Sequence, residues 1–585
     1  MAAGRSEFGG LRFGDGFYAE ERGDEIPFRW MSPRAEIGLE ATPVERFLEL
    51  WVRSPFHDLA QRLAVATPEG QAWPLARGWN GVSIRIPAGA TTLTLEVSPP
   101  FPREHYPGDE RLLAVEVRSP RLHADPRRHE HVARQQRNAV ANLTEMLRGA
   151  TELRSMPVKL GIDVEGACNV KPPCVYCAWD YSKGLEGANT EAPFTLETLA
   201  EWGAFFDDAA ELVNCSIGEP FMGKNIEEVL DAFGERGKML EITINGQILT
   251  DGHIAKLLGR NMHLYISFDA ATAATYARLR NGRFDQLVAN VRRLIAAKGG
   301  PGRLPLVYLV FMPMPANLHE VDAFVRLAAD LQPDRMVLRP LNDGSALDLK
   351  WDRAGYRFDY QKEILPFEEK VRISGRVAEL CARLGVPLAD QMDFGGSMEA
   401  SFHEAFARGR REALDALGIS EAPPRIESST SAPAPAERPP AAVPAPLPSL
   451  GRERLPACTE PWTSLYILRR GVLPCCFGGK SIAPTTGYRE AWNAPLMQDI
   501  RRDLAAGRFH RYCLDSEDCP IVRKSSEARR LSWRESFVVR GRQALVRLER
   551  AGIPWPRRVW RGLKALLKGT DTSAARDPSS AREQP

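Results

Sequence analysis

The chain of 585 residues is nearly without net charge: 77 Lys and Arg stand against 75 Asp and Glu, leaving +2. That balance excludes a chain-wide electrostatic grip on nucleic acid, so any basic surface must be local. No apolar run approaches the roughly 20 residues that a membrane-spanning helix needs. The opening residues, Met1-Ala2-Ala3-Gly4-Arg5-Ser6, lack the apolar centre of a secretion signal. Cysteine is missing from the first 150 residues, and half of the ten present cluster as C-x5-C-x2-C and C-C. Such clustering speaks against scattered disulfides and for ligands in a reducing cytoplasm, the expected location. Composition is otherwise that of an ordinary globular protein, with 44% hydrophobic and 26% charged residues. The length suggests about three to four domains.

The richest stretch follows a strand-like run. Cys168, Cys174 and Cys177 fall within ten residues. Three thiolates are one ligand short of a closed zinc site and of a fully ligated [4Fe–4S] cluster. The loop therefore suggests a cluster with one iron open to another ligand, with zinc as the rival.

Residues 7–123 read as an all-β, sandwich-like domain. Runs such as Phe47–Val52, Val82–Ile86, Leu93–Val97 and Leu112–Val117 alternate apolar and polar residues between turn signals. Trp30, Trp51, Trp73 and Trp79 could stack on sugars, but tryptophans in a sandwich are first expected in its core. Residues 124–154 switch to a helical period, with Val132, Ala139, Val140, Leu143 and Leu147 on one side. His123, His129 and His131 nearby match no ligand spacing and read as a polar face.

From 155 to 420, strands alternate with helical stretches: Val158–Val164, Glu211–Ile217, Leu240–Ile244, Leu264–Phe268, Leu306–Phe311 and Met336–Leu341. Six strands with crossovers imply an α/β, parallel arrangement, with ligands at the carboxyl ends of the strands. Residues 421–450 hold nine prolines, so 421–454 reads as a disordered linker. A second cysteine set, Cys458, Cys475, Cys476, Cys513 and Cys519, marks a small cysteine-rich domain at 455–525. Residues 521–569 carry 14 Lys and Arg against 3 Glu, a local net of +11. Within it, 526–569 reads as basic amphipathic helices suited to peripheral contact with an anionic membrane, with Phe537, Trp555 and Trp560 as interfacial anchors. The final segment, 570–585, is expected to be disordered.

The cysteine loop after strand one, Gly218-Glu219-Pro220 after strand two, Ile244-Asn245-Gly246 after strand three and Ser267-x-Asp269 on strand four together resemble the radical S-adenosylmethionine superfamily. The usual family spacing is C-x3-C-x2-C; here Lys171-Pro172-Pro173 lengthens the first interval. The resemblance implies a partial (β/α)6 TIM-like barrel and a [4Fe–4S] cluster on Cys168, Cys174 and Cys177 with exchangeable S-adenosylmethionine. It further implies cofactor contacts from Tyr176, Gly218, Glu219, Pro220, Asn245, Ser267, Asp269 and Arg280. The reaction implied is reductive cleavage to a 5′-deoxyadenosyl radical that abstracts a hydrogen atom from substrate. Cys458-x12-Gly471-x4-Cys476 resembles the opening of the SPASM/Twitch extension, implying one auxiliary [4Fe–4S] cluster on Cys458, Cys476, Cys513 and Cys519. Cys475 is then a candidate catalytic thiol or an alternative ligand. The N-terminal segment resembles β-domains fused to bacterial glycosyltransferases and methyltransferases, which favours a carbohydrate substrate. The strand-four pattern resembles the peptide-maturase branch and favours a peptide. An external flavodoxin- or ferredoxin-type electron donor is implied, and no nucleic-acid partner. A non-catalytic, zinc- or cluster-stabilised glycan- or membrane-binding protein is the alternative of another class.

Overall fold

In the computed structural model, the described residues are 11–22, 27–54, 61–66, 70–76, 78–103, 109–177, 195–341, 349–392, 400–417, 456, 458–516, 519 and 521–522. The expected linker at 421–454 and the segments at 526–569 and 570–585 lie outside them. Among the described residues no helix is long and apolar enough to cross a membrane.

The first ten strands build two antiparallel five-stranded sheets. They are β1 (Leu11–Phe13), β2 (Phe17–Arg22), β3 (Pro27–Met31), β4 (Arg34–Leu39), β5 (Arg46–Ser54), β6 (Arg62–Val65), β7 (Ala72–Pro74), β8 (Gly78–Ile86), β9 (Thr92–Ser98) and β10 (Val115–His123). The sheet orders are β1-β4-β9-β6-β7 and β2-β3-β10-β5-β8. Alternate residues such as Leu48, Leu50, Val52, Val82 and Ile84 meet in one core. The four tryptophans do not join it as fully buried residues: all are half-buried. Trp30 stacks on Phe101, and Trp79 lies beneath the Arg118 guanidinium.

The helix Pro126–Leu147 starts where Asp125 accepts a hydrogen bond from Arg127 N–H, with proline in the first turn. Its buried side differs from the apolar stripe expected: beside Val132, Met146 and Leu147 it buries Gln135, Gln136, Asn138 and Asn142. Each of these amides has a backbone partner elsewhere in the fold. Gln136 donates to Pro74 O, Gln135 to Arg236 O, Asn138 to Met156 O, and Asn142 to Trp462 O. The helix thus ties three parts of the chain by hydrogen bonds donated from buried amides. The histidines disperse: His129 bonds Ser83 and stacks on Phe47, while His123 pairs with Glu49.

The six expected strands appear as β11 (Lys159–Ile162), β12 (Glu211–Asn214), β13 (Met239–Ile244), β14 (Met262–Ser267), β15 (Leu306–Phe311) and β16 (Arg335–Leu338). They pair in sequence order and parallel throughout, as in a partial TIM-like core. A hairpin of β17 (Lys350–Arg353) and β18 (Tyr356–Asp359) follows, and β19 (Leu388–Asp390) adds to β16. At the other edge, β20 (Ser464–Leu468) pairs parallel to β11, and β21 (Gly471–Leu473) pairs antiparallel to β20. The cysteine-rich segment therefore enters the same nine-stranded sheet.

Leu160 and Ile162 join helical residues such as Leu199, Trp202 and Phe205 in the main core. By the two-residue period of a strand, Lys159 and Gly161 face the other way. Gly161 is held to glycine by its neighbour: an added Cβ would stand 2.0 Å from the Tyr466 ring of β20.

Candidate active site

The loop after β11 is built on strand ends. Asn214 Oδ1 accepts from Val164 N–H, Ser216 Oγ from Glu165 N–H, and Glu165 Oε1 from Ala167 N–H. Glu219 N–H donates to Ala167 O across 2.7 Å. Here Gly218 is a matter of room: a Cβ would lie 2.4 Å from Ala167 O and 2.6 Å from Glu165 O. Its first duty is to let the second loop press against the cysteine loop.

A second support comes from the helix Ala273–Arg280, which starts at the Thr272 cap and ends at left-handed Asn281. Its last carbonyls hold the loop, with Val175 N–H donating to Leu279 O and the Cys174 thiol facing Arg280 O at 3.9 Å. Asn281 donates to Pro172 O, and Arg353 of β17 to Pro173 O. Val175 packs with Leu279, Phe358 and Tyr360 beneath the β17–β18 hairpin. Within the loop, Cys177 N–H turns back to Cys174 O.

Of the expected cofactor contacts, Tyr176, Asp269 and Arg280 come together, but on one another. Asp269 is fully buried, with φ +57. Its Oδ2 accepts from Tyr176 OH at 2.5 Å and Arg280 Nη1 at 2.6 Å, and its Oδ1 from Met312 N–H at 2.8 Å. Burial holds the Tyr176 phenol well above its usual range, so it stays a donor.

Glu219 and Asn245 form a second group. Glu219 accepts from Asn245 N–H at 2.6 Å and from Phe221 N–H at 3.3 Å. Burial nevertheless pushes its carboxyl up to about 7. Asn245 in turn donates to Asn169 inside the cysteine loop. Pro220 opens a buried 3-10 turn, and Ser267 is half-buried at the end of β14. Burial raises the Cys168 thiol, with Cys174, Glu219 and Arg280 as electrostatic neighbours. Asn169, Asn281 and Arg353 hold this site and were missed in the sequence, where single residues between motifs give no signal.

Two donors beside the loop, Arg280 Nε and Arg353 Nη1, are buried without partners. Both guanidiniums act electrostatically on Cys174. A group held by three thiolates concentrates negative charge there, so the ligand set and the two unused guanidinium donors fit a [4Fe–4S] cluster. Among the described residues no three His, Cys, Asp or Glu side chains converge closely enough for one metal ion.

In the second set, Cys458 has Cys513 and Cys519 as electrostatic neighbours, and burial pushes its thiol up to about 12. Cys475 has Cys476, Cys458 and Cys513 among its electrostatic neighbours. Cys476 instead meets Tyr466, Glu460 and Lys159, and is a neighbour of Cys215. Cys475 and Cys476 lie in the turn after β21, and C-x4 spacing alone does not tell which of the two sits beside the other cysteines.

Residues 164–328 match the family model described as Radical SAM superfamily, so the chain contains a radical SAM domain. No curated protein matches the chain. Among solved structures, SuiB of Streptococcus suis is similar over 67% of this chain and 74% of its own, with 16% identity and a TM-score of 0.39. The structure of anSMEcpe with AdoMet and Cp18Cys peptide aligns over 63% and 87%, with 12% identity and a TM-score of 0.36. BtrN with AdoMet and 2-DOIA aligns over 60% and 89%, with 13% identity and a TM-score of 0.23.

Proposed function

We propose, from the radical SAM domain at residues 164–328, that the chain is an oxidoreductase acting on a polar, carbohydrate-type substrate. The observation that carries it is the three-cysteine loop with orphaned Arg280 and Arg353 donors beside it. Cys168, Cys174 and Cys177 would hold the cluster. When bound, the cluster and S-adenosylmethionine supply one-electron cleavage of a sulfonium and hydrogen-atom abstraction by the resulting 5′-deoxyadenosyl radical. In its ionised form Glu219 offers a carboxylate to an ammonium group, whose charge would offset the burial that favours the protonated acid. Asp269 acts at one remove, holding Tyr176 and Arg280 in place.

Cys458, Cys475, Cys513 and Cys519 are proposed as the ligands of one auxiliary cluster, the acceptor of the substrate's second electron. The strand face opposite the helices carries Lys159, Glu211, Glu241, Thr243 and Ser267 on β11 to β14, beside an apolar cluster of Tyr265, Tyr308, Val310 and Val337 toward β15 and β16. A peptide substrate, which the strand-four pattern favours by its resemblance, is the alternative; the glycine of that pattern also has a packing role. A Cβ on Gly282 would meet Gln247 and Tyr276, and the amide of Gln247 donates to Tyr276 OH.

Protein purified without oxygen should be brown, with iron and sulfide near eight each per chain, about four per cluster. After reduction with dithionite it should convert S-adenosylmethionine to 5′-deoxyadenosine, and Cys174→Ala should abolish that conversion. Colourless protein holding only zinc, or S-adenosylhomocysteine as the sole product, would overturn the reading.

A further inference from the structure

A cleft of about 900 Å³ lies between the sandwich and the end of the parallel sheet where its strands begin, opposite the cysteine loop. Both its size and its position between two packed parts of the fold are those of a small-molecule site.

Its cationic wall is made by a β-bulge. Arg118 pairs with Trp51 and Arg121 with Glu49, so three steps along β10 match two along β5. Three steps in a regular strand would send the two arginines to opposite faces. The extra residue brings both onto the face that carries Trp51 and Glu49. Ser119 within the bulge takes φ +49, a conformation that serine rarely adopts. Bulges of this kind re-aim side chains and are enriched beside functional sites.

Of the four carboxylates among the described residues of the cleft, three are engaged, and the fourth, Glu235, is exposed. Glu49 is held by Arg128 and His123, Asp125 caps the helix Pro126–Leu147, and Glu20 pairs with Arg29. Arg260 is paired with Asp231. Arg121 and Arg303 line the cleft without a side-chain hydrogen bond or ion pair among the described residues. Burial first, then Arg128 and Arg260, lower the Arg121 pKa, with Glu49 opposing them in part. An anion would relieve the repulsion from Arg128 and Arg260, and guanidinium groups match phosphate geometry in particular. Trp51 and Phe28 supply apolar ring surface on the same walls.

We propose that this cleft binds a small phosphorylated ring compound, with Arg121 and Arg303 on the phosphate and Trp51 and Phe28 against the ring. The site stands apart from the radical chemistry, so it can be tested whether or not that reading holds. The full chain is titrated with glucose 1-phosphate, inorganic phosphate and glucose by calorimetry, with tryptophan fluorescence followed in parallel. Glucose 1-phosphate should saturate one site and bind at least about tenfold more tightly than either fragment. Arg121→Ala should weaken it about tenfold, a loss partly recovered by Arg121→Lys. Arg303→Ala, in an exposed loop, should weaken it severalfold without changing thermal unfolding. Arg137→Ala, which breaks an exposed pair with Glu130, should leave binding unchanged. Absence of saturation, or unchanged affinity in both Arg121→Ala and Arg303→Ala, would overturn the proposal. Equal affinity for inorganic phosphate and glucose 1-phosphate would overturn the role given to the ring walls.

Discussion

Both carboxylate oxygens of Asp269 are committed within the fold, and its partners Tyr176 and Arg280 come from the cysteine loop and from the end of a helix. Arg280 is 8% exposed and Asp269 not at all. Asp269→Ala should therefore cost about 3–5 kcal/mol in denaturant unfolding, because it strands a buried guanidinium. A loss under 1 kcal/mol would show the pair to be dispensable. Glu219 gives a pH prediction of the opposite kind. Its folded pKa of about 7 lies above the usual 4.5, so the folded state favours the protonated form. Below about 4.5 both states are protonated and nothing is lost. As pH rises toward 7 the unfolded state ionises first, and stability falls by about 3 kcal/mol before levelling off. Glu219→Gln should remove that fall from the difference between urea unfolding at pH 5 and pH 8; an unchanged slope would refute the assignment. The sequence carried both residues as motif members at strand ends. It did not carry their partners, since Tyr176 meets Asp269 across 93 positions and no local period encodes that approach.

At the level of elements, the alternation of apolar strands and helices was enough to locate β11 to β16 to within a few residues, because burial against the helices imposes it. What lay beyond reach was the neighbour of β11. Leu465–Leu468 reads as one arm of a separate hairpin, yet β20 pairs with β11 across some 300 residues, and parallel pairing leaves no turn signature. Gly161 is the residue through which that junction can be tested. Gly161→Ala would drive a methyl into the Tyr466 ring, which is itself 3% exposed. Overpacking of this kind costs about 1–3 kcal/mol, and it should appear as faster proteolysis near β20 and as loss of auxiliary-cluster iron. Adding Tyr466→Ala should restore much of the stability lost, because the clash disappears. If the double variant is weaker than the sum of the two single ones, the contact is not what fixes Gly161. The connecting helix teaches a related lesson: its stripe of amides looks solvent-facing in sequence, and only the carbonyls arriving from Pro74, Arg236 and Trp462 make it an interior surface.

Across the whole molecule, the sheet joins two cysteine sets that the chain separates by nearly 300 positions. The loop after β11 lies where the strands end, and Cys458 stands just before β20 begins. The parallel strand pair β11–β20 thus separates the two sets, one at each end of it. Of Cys475 and Cys476, the first has Cys458 and Cys513 among its electrostatic neighbours, the second Lys159 and Tyr466. This arrangement makes the two adjacent thiols separable by experiment. Cys475→Ala should lower iron and sulfide from about eight to about four per chain, whereas Cys476→Ala should leave both contents unchanged. In the reconstituted protein Cys476, which is exposed, should be the thiol of this pair that an alkylating reagent modifies, with mass spectrometry locating the adduct. Cys475 should stay protected, since a thiolate bound to iron is no longer a free nucleophile. Half the iron lost from Cys476→Ala, with Cys475 alkylated in its place, would return the ligand role to the residue that the motif spacing selects.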